Sequence, residues 1–299
     1  MAAMAGGAGQ LLGGRYRLVE PVGTGGMGQV WRGYDEVLER EVAVKEVLQP
    51  EGLPSTQRDY MIARTMREAR AAARLHHPGI VLVYDAIQRE GVPWIVMEFI
   101  SGPSLAQAIA DNGRLAWERV AALGRDLADA LAHAHAAGVV HRDLKPANVL
   151  LAGHRTVLTD FGVARVLDAT TQLTSTGAVI GTPHYMSPEQ IEGEPVQAPA
   201  DLWALGATLY HAVEGCPPYD GPTLTAVLAA ILTRPPPTPR NAGPMAPVLY
   251  SLLTKAPSQR PSAAALTDQL AALLRPGPPI RAVRSPGAAA PSGPAEPPW

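Results

Sequence analysis

Four short segments carry residue types suited to chemistry. The first is His141-Arg142-Asp143-Leu144-Lys145-Pro146-Ala147-Asn148, with a carboxylate at 143, an ammonium two residues on and an amide oxygen five residues on. A carboxylate can take a proton from a hydroxyl, and a side-chain carbonyl is a hard ligand for a divalent cation. Twelve residues beyond Asn148 stands Asp160-Phe161-Gly162, a second hard ligand after the run 156–159. Upstream lies Gly23-Thr24-Gly25-Gly26-Met27-Gly28-Gln29-Val30. Glycines let a backbone approach phosphate oxygens and present its amides to them. Val42-Ala43-Val44-Lys45 adds a compact positive point charge. Of the 25 Lys+Arg only Lys45, Lys145 and Lys255 are lysines, so two of the three fall inside these segments.

The elements that must hold these segments change character along the chain. Residues 15–22, 29–34 and 41–47 read as short strands, with the glycines between the first two. A dinucleotide-binding turn also uses spaced glycines but needs a helix directly after them. The segment 29–34 reads as a strand, which disfavours that fold. Pro50, Gly52 and Pro54 mark 49–56 as a loop. Apolar spacing predicts a helix over 58–75, stopped by His77-Pro78-Gly79. Its Glu68 is the natural carboxylate for Lys45, because Glu46 is on the other face of its strand. Two more apolar runs, 80–87 and 93–100, flank the turn Arg89-Glu90-Gly91.

Past Ser101 the segments 105–112, 117–137, 200–214, 224–232, 245–255 and 263–274 read as helices. A small β-rich lobe followed by a larger helical lobe is an α+β arrangement, with a ligand cleft expected at the junction, 98–102. The segment 1–14 reads as a flexible lead-in, and 276–299, rich in Pro, Ala and Gly, as a disordered tail.

Composition narrows the function. With 46% hydrophobic and 17% charged residues the chain can build a sizeable core. A formal net charge of −2 gives no reason to expect nucleic acid as a partner. One cysteine, Cys216, permits neither an internal disulfide nor a cysteine-based zinc site. No run of about 18 apolar residues is present to span a membrane. His133 and His135, at i, i+2 on one helix, read as structural residues rather than a metal site.

These motifs resemble the bacterial, eukaryote-like (Hanks-type) Ser/Thr protein kinases over 15–274. The Arg, Ala, Gly and Pro bias points to a GC-rich, actinobacterial source. The resemblance implies a two-lobed kinase domain over 15–275, with a small lobe over 15–99 and a large lobe over 100–275. It implies transfer of the ATP γ-phosphate to protein Ser/Thr hydroxyls with Mg2+, or Mn2+ in its place. By resemblance Asp143 is the catalytic base, Lys145 steadies the transferring phosphate, and Asn148 and Asp160 hold the metal. Lys45, paired with Glu68, contacts the α- and β-phosphates. Val22, Gly23, Thr24, Gly25, Gly26, Met27, Gly28, Val30 and Ala43 surround the nucleotide. Met97 guards the back of the adenine pocket, and the backbone of Glu98 and Ile100 bonds adenine.

The resemblance further implies a Glu189–Arg260 pair, Asp201 bracing the catalytic loop and Thr182 lining the substrate hydroxyl's site. Ser187-Pro188-Glu189 has serine where the family motif has alanine. Arg142 implies control by phosphorylation of the activation loop, with Thr174 and Thr176 as autophosphorylation sites. Other expected features are a cytoplasmic kinase domain, protein substrates, and a homodimer as one route to trans-autophosphorylation. The alternative is a nucleotide-binding pseudokinase scaffold, which the presence of Lys45, Glu68, Asp143, Asn148 and Asp160 disfavours.

Overall fold

A computed structural model describes residues 7–25, 28–48, 52–161 and 183–275. The strands are β1 (Leu11–Leu12), β2 (Tyr16–Gly25), β3 (Gly28–Asp35), β4 (Arg40–Val47), β5 (Val83–Arg89) and β6 (Val92–Glu98), with helix α1 (Ser55–Ala72) between β4 and β5. They form one antiparallel sheet in the order β1-β2-β3-β4-β6-β5. Side chains alternate across a strand, and β4 shows what this does. Val42 and Val44 join Leu12, Tyr16, Leu18, Trp31, Trp94 and Val96 in a core on one face. Ala43, Lys45 and Val47 therefore share the opposite face, where Val47 packs with Ala69 of α1 and Ile95.

The expected lead-in is in part structured. Leu11–Leu12 pairs with β2, and Leu12 is fully buried. The amide of Gly9 donates to the Leu18 carbonyl at 2.8 Å. Two adjacent leucines in a run of small residues were the only signal. Helix α1 begins at Ser55, inside the expected loop, and ends at Ala72, while Leu75 turns into the core. The run 80–87 is also shifted. Its first residues leave the sheet, and the Val81 amide donates to the Leu158 carbonyl at 2.9 Å.

The second lobe contains α2 (Leu105–Asn112), α3 (Trp117–Ala136), the hairpin β7 (Val149–Ala152) and β8 (Arg155–Leu158), α4 (Pro188–Ile191), α5 (Ala198–Glu214), α6 (Leu224–Thr233), α7 (Ala246–Leu252) and α8 (Ala263–Leu273). On α3 the buried residues Val120, Leu123, Leu127, Leu131 and Ala134 recur at three- and four-residue spacing, which gives one apolar stripe. Helix α5 is different. From Ala200 to Val213 all but His211 are buried, so it is apolar on every side and forms the axis of the lobe. Gly206 permits the approach of α7, since a Cβ there would meet the Leu252 Cβ at 2.6 Å. The expected helix over 245–255 is shorter, running from Ala246 to Leu252, and Lys255 lies beyond its end. The Lys255 Nζ lies 4.4 Å from the centre of the Tyr219 ring and 4.8 Å from that of Trp203. No helix among the described residues is long and apolar enough to cross a membrane.

Candidate active site

The catalytic-loop segment follows α3 and is fixed by a buried carboxylate. Asp201, in the first turn of α5, is 1% exposed. Its Oδ2 accepts from the His141 amide at 2.8 Å, and its Oδ1 accepts from the Arg142 amide at 2.8 Å. Arg142 has φ +70°, a left-handed conformation that a side chain disfavours. Anchoring both amides holds that turn. The Arg142 carbonyl accepts from the Gln190 side chain at 3.2 Å, which ties α4 to the same residue. The His141 ring accepts from the Asp143 amide at Nδ1, so Nε2 carries the proton donated to the Thr159 carbonyl at 2.8 Å. Its ring centre lies 4.6 Å from that of Phe161.

Past this anchor the reactive groups converge. Lys145 Nζ donates to Asp143 Oδ2 at 2.8 Å. The Asn148 amide nitrogen donates to the Asp143 carbonyl at 2.8 Å and to Oδ2 at 3.2 Å. This use of the nitrogen leaves the Asn148 carbonyl oxygen for a cation. Asp160, at φ +64°, brings its Oδ1 to 2.7 Å from Lys45 Nζ. Burial alone would push the Asp160 carboxyl up. The charge of Lys45 and its hydrogen bond, with His141 and Lys145 beyond, outweigh that and hold it below the usual carboxylate range. Asp143, Lys145, Asn148, Asp160 and Lys45 thus form one constellation of two carboxylates, an amide oxygen and two ammonium groups. The donor set fits a hard divalent cation.

One expected pair is not made. Lys45 bonds Asp160 instead of Glu68. Glu68 Oε1 instead takes Arg64, one turn earlier on α1, at 3.1 Å and Arg142 at 3.3 Å. Among the described residues Glu68 Oε2 and Arg142 Nε are buried without a hydrogen-bond partner. The physical reason is competition. Two cations face Glu68 from its own helix and from the catalytic loop, while Asp160 offers Lys45 a nearer anion. The orientation of α1 therefore decides the pairing.

The glycine segment is a hairpin, as β2 runs through Gly23, Thr24 and Gly25 and pairs them with Val30, Gln29 and Gly28. Gly28 has φ +140°, and a Cβ there would sit 1.8 Å from the Glu46 carbonyl oxygen. No other residue fits. Val22 is half exposed at the same end of β2. Gly26 and Met27 lie outside the described residues, as do Gly162, Thr174, Thr176, Thr182 and the tail 276–299.

Between the lobes, Val30 and Ala43 from the sheet meet Met97, Phe99 and Ile100 from the connection in one apolar cluster. Leu150 and Val157 complete it from the β7–β8 hairpin. Such a slot suits a flat aromatic base. Met97 also lines a narrow cavity behind the slot, with Lys45, Ala72, Asp160 and Phe161. The Ile100 amide makes no backbone hydrogen bond among the described residues.

Sequence reasoning missed four residues here. Leu150 and Val157 sit in two short apolar stretches, either side of Gly153-His154-Arg155, that carry no motif of their own. Gln190 follows the Ser187-Pro188-Glu189 segment but is no part of that motif. His135 donates from Nε2 to Asp201 Oδ2 at 2.7 Å, so it is the third donor on the anchoring carboxylate. Its position six residues before His141 was the available signal. The His133 ring lies against that of His77, tilted by 32° with centres 5.3 Å apart.

Arg260 meets Glu189 through two hydrogen bonds of 2.6 and 2.8 Å, both side chains buried.

A two-lobed molecule with this cleft has relatives. Residues 16–270 match the family described as protein kinase domain. A probable serine/threonine-protein kinase of Streptomyces coelicolor is 43% identical over 223 residues, 72% of this chain and 32% of its own. The serine/threonine-protein kinase PknA of Mycobacterium tuberculosis is 41% identical over 243 residues, 79% of this chain and 55% of its own. PrkC of Bacillus subtilis, also a serine/threonine-protein kinase, is 35% identical over 240 residues, 80% of this chain and 36% of its own. The matched region spans about a third to a half of these relatives. The match runs through both lobes and takes in the glycine hairpin, Lys45, the catalytic loop, Asp160 and the Glu189–Arg260 pair, and on it the chain belongs to the protein kinase domain family, among its bacterial serine/threonine members.

Proposed function

We propose that this domain transfers the γ-phosphate of ATP to serine and threonine hydroxyls of proteins, with Asp143 as base and Mg2+ as the divalent cation. Family membership brings ATP and a divalent metal in general; the choice of Mg2+ rests on the oxygen-only donor set of Asn148 and Asp160. The single observation that carries the reading is the Asp143 carboxylate, held by Lys145 and Asn148 beside the Lys45–Asp160 pair.

Adenine enters the slot of Val30, Ala43, Met97, Ile100 and Leu150, and the glycine hairpin lies over the phosphates. Bound by Asn148 and Asp160, the cation would neutralise phosphate charge and hold the chain in line. Lys45 turns from Asp160 to the α- and β-phosphate oxygens and to Glu68. Asp143 orients the hydroxyl and accepts its proton as the new O–P bond forms and the β–γ bridging P–O bond breaks, releasing ADP. Lys145 balances the charge that builds on the transferred group. Val22, Gly23, Thr24, Gly25, Gly26, Met27 and Gly28 are assigned to the phosphate cover and Thr182 to the hydroxyl's site. Thr174 and Thr176 are assigned as the autophosphorylated residues, whose phosphates would take Arg142.

The test is incubation with labelled ATP and Mg2+ beside Asp143→Asn, with the labelled residues mapped. Label on serine or threonine in the parent, and at least about a thousandfold less in the variant, is expected. Equal labelling of both would remove Asp143 as base. Label in neither, with nucleotide binding intact, would favour a scaffold.

A further inference from the structure

One guanidinium joins the lobe connection to the loop after α1. Arg155 opens β8 at the tip of the β7–β8 hairpin. Its Nη1 donates to Glu98 Oε1 at 2.9 Å, and its Nη2 to Glu98 Oε2 at 3.5 Å. Its Nη2 and Nε also donate to the Pro78 carbonyl, at 3.2 and 3.4 Å. Glu98 ends β6 at the lobe connection, and Pro78 lies between α1 and β5.

The backbone already ties these three places together. The Leu158 amide donates to the Gly79 carbonyl at 2.9 Å, and the Val81 amide donates back to Leu158 at 2.9 Å. The Glu98 amide donates to the Leu82 carbonyl at 2.8 Å. The loop 78–82 is thus sewn to the helical lobe at one end and to the connection at the other. Arg155 closes the third side by side chain alone. A planar fork of five donors faces a carboxylate and a carbonyl at once in fixed geometry, whereas a lysine presents its three donors from a single point.

We infer that Arg155 is a positioning residue for the nucleotide: it fixes the connection at Glu98 so that the backbone of Glu98 and Ile100 meets the adenine edge. The inference rests on the adenine assignment made above. Arg155 touches no reacting group. Its side chain is 45% exposed and that of Glu98 19%, so the pair adds little to global stability. Its effect falls on the geometry of the slot, where small displacements are felt directly.

The test compares the parent with Arg155→Ala, Arg155→Lys, Glu98→Ala and the double Arg155→Ala/Glu98→Ala. Affinity for ATP is measured by titration without metal, and kcat and KM by steady-state assay. In Arg155→Ala, Kd and KM for ATP should rise about three- to fivefold, the size of a surface ion pair. The kcat and the KM for the protein substrate should stay within about twofold, because the fork contacts neither. Glu98→Ala should match Arg155→Ala, the double should add nothing further, and Arg155→Lys should recover part of the loss. Unchanged ATP affinity in Arg155→Ala, with a parent that binds ATP, overturns this inference alone. A joint fall of kcat, substrate affinity and thermal stability makes Arg155 a structural residue and overturns it as well. A parent that binds no nucleotide removes the adenine assignment and this inference with it.

Discussion

Replacing Arg260 by alanine should destabilise the helical lobe more than a surface change can. The guanidinium uses its fork fully: two bonds to Glu189, and one each to the carbonyls of Thr254 at 2.8 Å, Pro199 at 2.8 Å and Lys255 at 2.9 Å. The side chains of Arg260 and Glu189 are 0% and 6% exposed. Removing Arg260 leaves a buried carboxylate without its cation, and removing one partner of such a pair typically costs about 3–5 kcal/mol. Each kcal/mol lowers the melting midpoint by roughly 2–4 °C in a domain of about this size, so a fall on the order of 10 °C is expected. Urea unfolding followed by circular dichroism measures the free energy directly. Substituting both partners, as Glu189→Leu with Arg260→Met, strands no charge and should unfold at higher urea than Arg260→Ala. A loss below about 1 kcal/mol in Arg260→Ala, or a double variant no more stable than the single, would refute the reasoning.

Two further expectations concern side chains without an assigned role. His135→Ala removes one of three donors from Asp201 and should lower kcat about tenfold while KM for ATP stays within about twofold; steady-state kinetics decide, and an unchanged kcat removes His135 from the support of the catalytic loop. Lys255 gives a pH signature, since burial, with the Arg260 charge adding to it, pushes its ammonium down to about 8 from an ordinary 10.5. The protonated form is disfavoured in the fold, so the penalty is full below pH 8 and is relieved between pH 8 and 10.5, where stability rises with pH. Lys255→Met lacks this titration. Its stability relative to the parent should be highest near pH 7 and decline by pH 10, and denaturation curves showing a constant difference would contradict it.

The sequence carried the site's identities better than its pairings. That Asp143, Asn148, Asp160 and Lys45 come together was legible because motif spacing specifies residue types, and the alternation of β4 sets Lys45 on the face opposite Val42 and Val44. The partner of Lys45 was not legible. Whether Glu68 or Asp160 answers it depends on the placement of α1, which many packing contacts set together. Leu150 and Val157 escaped for a related reason: an apolar run does not say which ligand it faces. The i, i+2 spacing of His133 and His135 argues against a shared metal site and says nothing of a carboxylate 66 residues away on α5. The strand at Leu11–Leu12 was hidden by the small residues around it.

The three lysines have a consequence for chemical labelling. Every other side-chain cation in this chain is an arginine, which ordinary acylating reagents leave alone. The side chain of Lys45 is 7% exposed and ion-paired, that of Lys145 21% exposed and ion-paired, and Lys255 is partly buried over two rings and hydrogen-bonded to the Tyr219 hydroxyl and the Ile231 carbonyl. Amine-selective modification of this protein therefore has almost no surface background. Apart from the terminal amine, whatever reacts reports on the cleft or on the packing of the helical lobe.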